Sequence, residues 1–152
     1  MSRLTHGSLI VLTAVVLGAS GAPAGADTAA PPVRLVGQQT AVTQLDLGAA
    51  GPGQGDEVVF TGLLFDVQHR PLGRFHGVLV AVDAAGDRSQ AQVTLVLPGG
   101  QIAVQGEVDF AAPDPVVHAI TGGTGRYAGA GGTFAFRHTD QPGVIDISLD
   151  VR

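Results

Sequence analysis

The sequence predicts an all-β protein: an eight-stranded antiparallel sheet closed into a barrel. Three observations carry that expectation. Eight runs of β-type residues follow one another between residues 34 and 151, several alternating apolar and polar side chains with a period of two. Short clusters of Gly, Pro and Asp separate them, which is the spacing of a meander. Past residue 26 no window carries an apolar stripe of helical period bounded by caps. An open sheet of this size has two unpaired edges, and closure removes both. Eight strands enclose a space that side chains fill or that holds one small ligand. A β-sandwich is the competing arrangement.

Residues 1–26 have the layout of a secretory signal: a charged start with Arg3, an apolar stretch over 9–19, and Ala24-Gly25-Ala26 as a small-residue cleavage site before Asp27. That stretch is shorter than the roughly 20 residues of a spanning helix, so export is expected and no membrane association after signal removal. Residues 27–33 (DTAAPPV) read as a flexible leader, and 34–152 as the barrel. Strands are expected over 34–47, 56–68 and 72–83, divided by the loop GAAGPGQG and by His69-Arg70-Pro71. The run 89–97 places Ala91, Val93, Leu95 and Leu97 on one face. After Pro98-Gly99-Gly100, the run 101–110 aligns Ile102, Val104, Val108 and Phe110. Runs 116–121 and 132–139 flank the glycine-rich GGTGRYAGAGG, whose glycines serve backbone geometry at a sharp corner. The last run, 144–151, sets Ile145, Ile147 and Leu149 against Asp146, Ser148 and Asp150.

Composition narrows the function classes. From Asp27 onward the chain keeps seven of its eight arginines and all thirteen acids, a net charge of −6 that repels phosphate backbones, so no nucleic-acid partner is expected. Cys is absent, so an exported domain of this size relies on its core for stability. Lys is absent as well, which excludes lysine Schiff-base chemistry. The serines after the signal, Ser89 and Ser148, lie in no G-x-S-x-G elbow. His69, His76, His118 and His138 have no tight metal spacing, and no metal is expected. Gly123-Thr124-Gly125-Arg126-Tyr127-Ala128 formally fits a dinucleotide fingerprint, but more glycines and an alternating strand follow where a helix is required. The Ala, Gly, Val and Arg bias is that of GC-rich bacterial coding, so a bacterial, secreted or cell-envelope protein is expected.

Residues 120–137 (ITGGTGRYAGAGGTFAFR) resemble the GGTG corner of the dirigent proteins and allene oxide cyclases. Phe65-Asp66 is similar to their F-D pair, GRFHGVL at 73–79 to their G-R-x-x-G segment, and Leu45-Asp46 to the acidic end of their first strand. The similarity spans about residues 35–151. It implies a calycin-type eight-stranded barrel with an apolar cavity and no cofactor, assembled as a homo-oligomer (dimer or trimer). It further implies a small hydrophobic partner whose cyclisation or stereoselective coupling the barrel guides, as a cofactor-independent cyclase or isomerase. The chain departs from plant dirigent proteins at Gly131, where they carry Arg, at Val67, where a second Asp is common, and in lacking paired cysteines. Those departures bear on radical coupling more than on the fold.

Six side chains are candidates for the site. Asp46 and Asp66 sit near the ends of apolar strands; in a cavity their pKa would rise and suit proton transfer, whereas at a wet rim they would pair with Arg. Tyr127, the single Tyr, is either a donor to a substrate oxygen or a plug over the barrel end. Arg74 and His76 share one face of a strand with Val78, Val80 and Val82, and bind substrate if that face is interior or a second subunit if it is exterior. Arg137 poses the same question. The functional alternatives are a lipocalin-like carrier and an oligomeric structural barrel with a filled interior.

Overall fold

The structure, a computed structural model, describes residues 31–152. The expected secretory signal and residues 27–30 of the leader lie outside the described residues. Eight strands follow in order: β1 (Val33–Leu45), β2 (Glu57–Asp66), β3 (Pro71–Ala81), β4 (Arg88–Leu97), β5 (Gly100–Asp109), β6 (Val116–Gly123), β7 (Gly132–His138) and β8 (Val144–Val151). Each pairs antiparallel with the next, and β8 returns to β1 from Val33↔Leu149 to Gln38↔Val144, closing the barrel. The sandwich alternative is thereby excluded.

Alternation decides what points inward. On β4 Ala91, Val93 and Leu95 are buried while Gln92 is exposed; on β8 Ile147 and Leu149 are buried while Asp146 is exposed. On β3 the choice of face is made by size. Phe60 lies opposite Gly77, and Phe75 opposite Gly62. Each ring covers the facing glycine so closely that a Cβ at Gly62 would come within 2.3 Å of Phe75 and one at Gly77 within 2.6 Å of Phe60. The two rings meet at 6.2 Å between centroids, which directs Phe75, Leu79 and Ala81 inward. Phe110, aligned with Val108, falls one residue past β5 and is 59% exposed, yet it still lines the barrel interior at the open rim.

The two ends of the barrel differ. At one end Leu35, Leu64, Leu95, Ile102, Ile120 and Leu149 form a buried cluster. Full burial of each such side chain is worth roughly 1.5–3 kcal/mol. The glycine corner caps this end. Its single 3-10 turn, Gly125–Tyr127, docks on the β4–β5 turn: Arg126 N–H donates to the Gly99 carbonyl at 2.9 Å and Thr124 N–H to that of Gln101 at 2.9 Å. Gly125 has φ +61, and a Cβ there would stand 2.1 Å from the Gly99 oxygen, so both conformation and contact demand glycine. At the other end the ladders thin. β1 runs past β8, and the β5–β6 pairing stops at Gln105↔Ala119, leaving the remainder of β5 and the start of β6 unpaired with each other.

Candidate functional site

The thinning leaves the second half of the barrel hollow. A cavity of about 590 Å³ opens between the β5–β6 and β7–β8 connections and the facing parts of β1 and β2, with Phe60, Phe75, Leu95, Phe134 and Ile147 among its apolar walls. Its size falls in the range of small-molecule sites. The polar lining residues besides His118 are Asp109, Asp114 and His138 together with Gln39, Gln44, Thr139 and Gln141, and among the described residues no arginine lines the cavity.

An aromatic row on β6 and β7 forms one wall. His118 on β6 is cross-strand partner to Phe134 on β7. Its imidazole stacks on Phe134 at 6.1 Å and 22°, meets Phe136 edge-on at 5.9 Å, and Phe136 in turn meets His138 at 5.6 Å. Alternation dictates the row, since Phe134, Phe136 and His138 are two residues apart on one strand.

His118 occupies the gap between β5 and β6. Where the backbone ladder has stopped, its Nε2 lies 3.1 Å from the Glu107 carbonyl oxygen. A carbonyl only accepts, so Nε2 carries the proton and Nδ1 keeps its lone pair. That Nδ1 is buried and has no hydrogen-bond partner among the described residues. Room for the ring comes from Gly106 on β5, where a Cβ would stand 2.4 Å from His118 Cδ2. The residue is only 3% exposed, and desolvation pushes its pKa below the ordinary histidine value, with the Glu107 carbonyl opposing more weakly. The imidazole is therefore neutral around pH 7.

At the mouth, Asp114 and His138 pair. The Asp114 carboxylate accepts from His138 backbone N–H at 2.8 Å and lies 3.1 Å from its Nδ1. Chiefly through that backbone N–H, the Asp114 pKa is held below the usual carboxylate value. Against Asp114, His138 presents its Nδ1 side. The whole site thus combines an apolar chamber, one buried histidine in its wall, and a polar lining of carboxylates, amides and an imidazole.

The family model for the allene oxide cyclase barrel-like domain matches residues 36–148. The chain belongs to that family. Among solved structures it is similar to pyocyanin demethylase (TM-score 0.69, 24% identity, covering 80% of this chain and 99% of that one). It is also similar to a Diels–Alderase from Streptomyces koyangensis (TM-score 0.65, 21% identity, 78% of this chain and 60% of that one). A third is a pterocarpan synthase dirigent protein (TM-score 0.64, 13% identity, 79% of this chain and 85% of that one). At these identities the likeness establishes the shared fold. No curated protein matches the chain.

The allene oxide cyclase-like barrel disperses the residues expected from sequence. Asp66 ends β2 at the capped end, where its carboxylate accepts from Gln68 N–H at 2.9 Å, Arg70 N–H at 3.0 Å and Arg70 Nε at 2.6 Å in the following turn. Its pKa is lowered, foremost by the Arg70 backbone N–H, which corrects the expectation of a raised value in an apolar cavity. Asp46 is exposed in the β1–β2 loop, accepts from Gly51 N–H at 3.0 Å, and is not a cavity residue. Tyr127 packs against the core cluster at the capped end with its hydroxyl 3.5 Å from the Pro98 carbonyl and Arg126 5.5 Å over its ring. It has the place of the plug rather than of the donor. Arg74, His76 and Arg137 lie on the outer wall, since Phe75 and Phe136 take the inner positions beside them. His76 sits there in a shallow trough with Val59 and Val78. Outward facing settles the alternative posed for Arg74 and His76 against the interior reading.

None of those six residues lines the cavity, while His118, His138 and Asp114 do. A signal for His118 is present in the sequence: it stands in the alternating run VVHAIT, flanked two residues away on either side by Val116 and Ile120, both apolar. Metal spacing carries no information about such a histidine; the period-two face does.

Proposed function

We propose that this barrel binds a small hydrophobic molecule and guides its cyclisation or stereoselective coupling. One observation carries the reading: the open, largely apolar cavity of about 590 Å³ with only a few polar groups converging on it. Family membership supports it, and so does a fold shared with proteins described as Diels–Alderases and dirigent proteins. Confinement is the mode of action the chamber favours. Holding a flexible substrate in its reactive conformer removes roughly several kcal/mol from a ring-closing barrier without bond-making groups from the protein. Export by the N-terminal segment, and assembly into a homo-oligomer through the outer trough around His76, belong to the same proposal.

The test has two arms. Binding of the uncharged dye N-phenyl-1-naphthylamine is followed by fluorescence in the wild type and in Leu79→Trp, which adds bulk at a cavity wall. Substrates bearing a tethered diene and dienophile are then incubated with and without protein, and the isomer ratio of the products is measured. Dye binding lost in Leu79→Trp, together with a protein-dependent isomer ratio, is expected. Dye binding with an unchanged ratio across the substrates makes the barrel a carrier, and no dye binding sinks the reading.

A further inference from the structure

One residue of the cavity wall, His118, keeps a buried polar atom that the described residues leave without a partner. Nδ1 of His118 is buried, carries a lone pair because Nε2–H is committed to the Glu107 carbonyl, and meets no donor among them. Natural interiors rarely leave such an atom unmatched, and each case asks for a reason. The surrounding structure holds it in place. Gly106 makes room for the ring on one side and Phe134 and Phe136 enclose it on the other, so Nδ1 lies beneath the cavity surface and a donor reaches it as the half-buried Phe136 ring turns aside.

The rest of the cavity restricts what can meet that atom. Asp109 and Asp114 stand at the mouth and no arginine of the described residues lines the wall, since Arg74 and Arg137 face outward. A carboxylate would find the amides of Gln39, Gln44 and Gln141 and the His138 imidazole among the lining, but beside Asp109 and Asp114, and at depth it would face a lone pair with no arginine or lysine to receive it. A cationic ligand would meet favourable charge at the rim but a dry apolar chamber beneath, where an unpaired charge is costly. Neutral molecules remain.

We propose that His118 Nδ1 is the deep hydrogen-bond anchor of the cavity, and that its ligand is an uncharged, mostly apolar molecule with a hydroxyl or N–H donor at the end that enters first. This rests on the reading of the cavity as a ligand site and adds the chemical class of what it takes. The anchor sets orientation: the donor end goes to the β5–β6 gap, and the remainder lies along the Phe134–Phe136 wall. A hydroxyl that donates to an imidazole becomes more electron-rich, which is the direction that activates an attached ring or diene.

Three probes of similar shape test the proposal by calorimetry: 2-naphthol, 2-methoxynaphthalene and 2-naphthoate. One added hydrogen bond predicts that 2-naphthol binds about fivefold tighter than its methyl ether. The naphthoate is expected to bind weakest. In His118→Phe the ether is retained and the preference for naphthol disappears. In the wild type, ¹⁵N NMR of the histidine ring provides a second readout that does not depend on the variant folding: the Nδ1 resonance of His118 moves on addition of naphthol and not of the ether. Equal affinity for naphthol and ether, an unmoved Nδ1 resonance with naphthol bound, or tighter binding of the naphthoate overturns the anchor while leaving a ligand-binding barrel intact. Failure of all three probes to bind overturns both readings.

Discussion

Replacing Gly106 by Ala separates the packing argument for His118 from general rules about glycine. In a strand interior the usual expectation is that Ala stabilises, by roughly 0.5–1 kcal/mol, because the unfolded chain loses freedom. Gly106 is not among the residues with positive φ, so the backbone itself accepts a side chain. Yet the new Cβ would stand 2.4 Å from His118 Cδ2, 2.8 Å from Cγ and 3.1 Å from Cβ. Relief requires the ring to retreat, but Phe134 and Phe136 stand behind it. Overpacking of this kind costs about 1–3 kcal/mol. Loss of the Nε2–H bond to Glu107 leaves a buried group unmatched, at roughly 1 kcal/mol more. The net expectation is a loss of about 2–3 kcal/mol, read as a lower denaturation midpoint in urea at unchanged m. The decisive assay is the double-mutant cycle with His118→Ala. Once the ring is gone the methyl added at position 106 has nothing to strike, so its cost should vanish and the coupling should reach about 2 kcal/mol. A neutral or stabilising Gly106→Ala, or the same cost in both backgrounds, refutes the account.

Four further outcomes are expected. Stability should rise with pH through the region just below about 6.5: His118 titrates lower in the fold than in the unfolded chain, so the unfolded state binds the extra proton there. Urea unfolding at pH 7.5 and 5.5 should show that loss in the wild type and less of it in His118→Phe. Tyr127→Phe should leave unfolding and dye binding unchanged, because 3.5 Å is too long for the hydroxyl to matter, whereas Tyr127→Ala should cost about 2 kcal/mol by uncapping the core; altered binding in Tyr127→Phe would reinstate the phenol as a ligand group. Asp66→Asn should lower the thermal midpoint by removing the acceptor for Arg70 and the turn amides, with probe affinity untouched; its effect should disappear as pH falls through the lowered Asp66 pKa, since the carboxylate's advantage exists only when ionised. Arg74→Ala and Arg137→Ala should bind 2-naphthol as the wild type does, measured by calorimetry, and a weaker affinity in either would return that arginine to the interior.

Much of the barrel was legible because alternation and turn chemistry are local. The runs containing Ala91, Val93 and Leu95, or Ile145, Ile147 and Leu149, state their buried face without reference to any other strand, and the structure buries most of these residues. The glycine corner announced itself through residues that only a tight bend requires. The site was less legible because it depends on pairings. Arg74 and Val78 alternate as plausibly inward as outward; the facing pairs Phe60 with Gly77 and Phe75 with Gly62 decide it, and those exist only across the β2–β3 register. Asp66 carried the right neighbours for a cavity acid, but the barrel end it marks is the capped one. Which end of a barrel is capped depends on where the glycine corner docks, through a contact between Arg126 and Gly99 that lies far apart in the chain.

The division of the barrel into a solid and a hollow half has a single structural origin. At the capped end the glycine corner docks on the β4–β5 turn, and large aliphatic residues from Leu35 to Leu149 meet across the axis. Towards the mouth β1 outruns β8 and β5 parts from β6, so the wall widens where fewer inward positions remain to fill it. A wall that separates must satisfy its freed backbone groups, and here a side chain does so: His118 Nε2 donates to the Glu107 carbonyl at 3.1 Å. The histidine that bridges the parted strands is thereby fixed in one tautomer, and the same constraint leaves its other nitrogen a buried lone pair beside the cavity. Opening the barrel and furnishing it with a hydrogen-bond acceptor are thus one event in the fold. Any substitution that re-zips β5 to β6 should shrink the chamber and silence Nδ1 together.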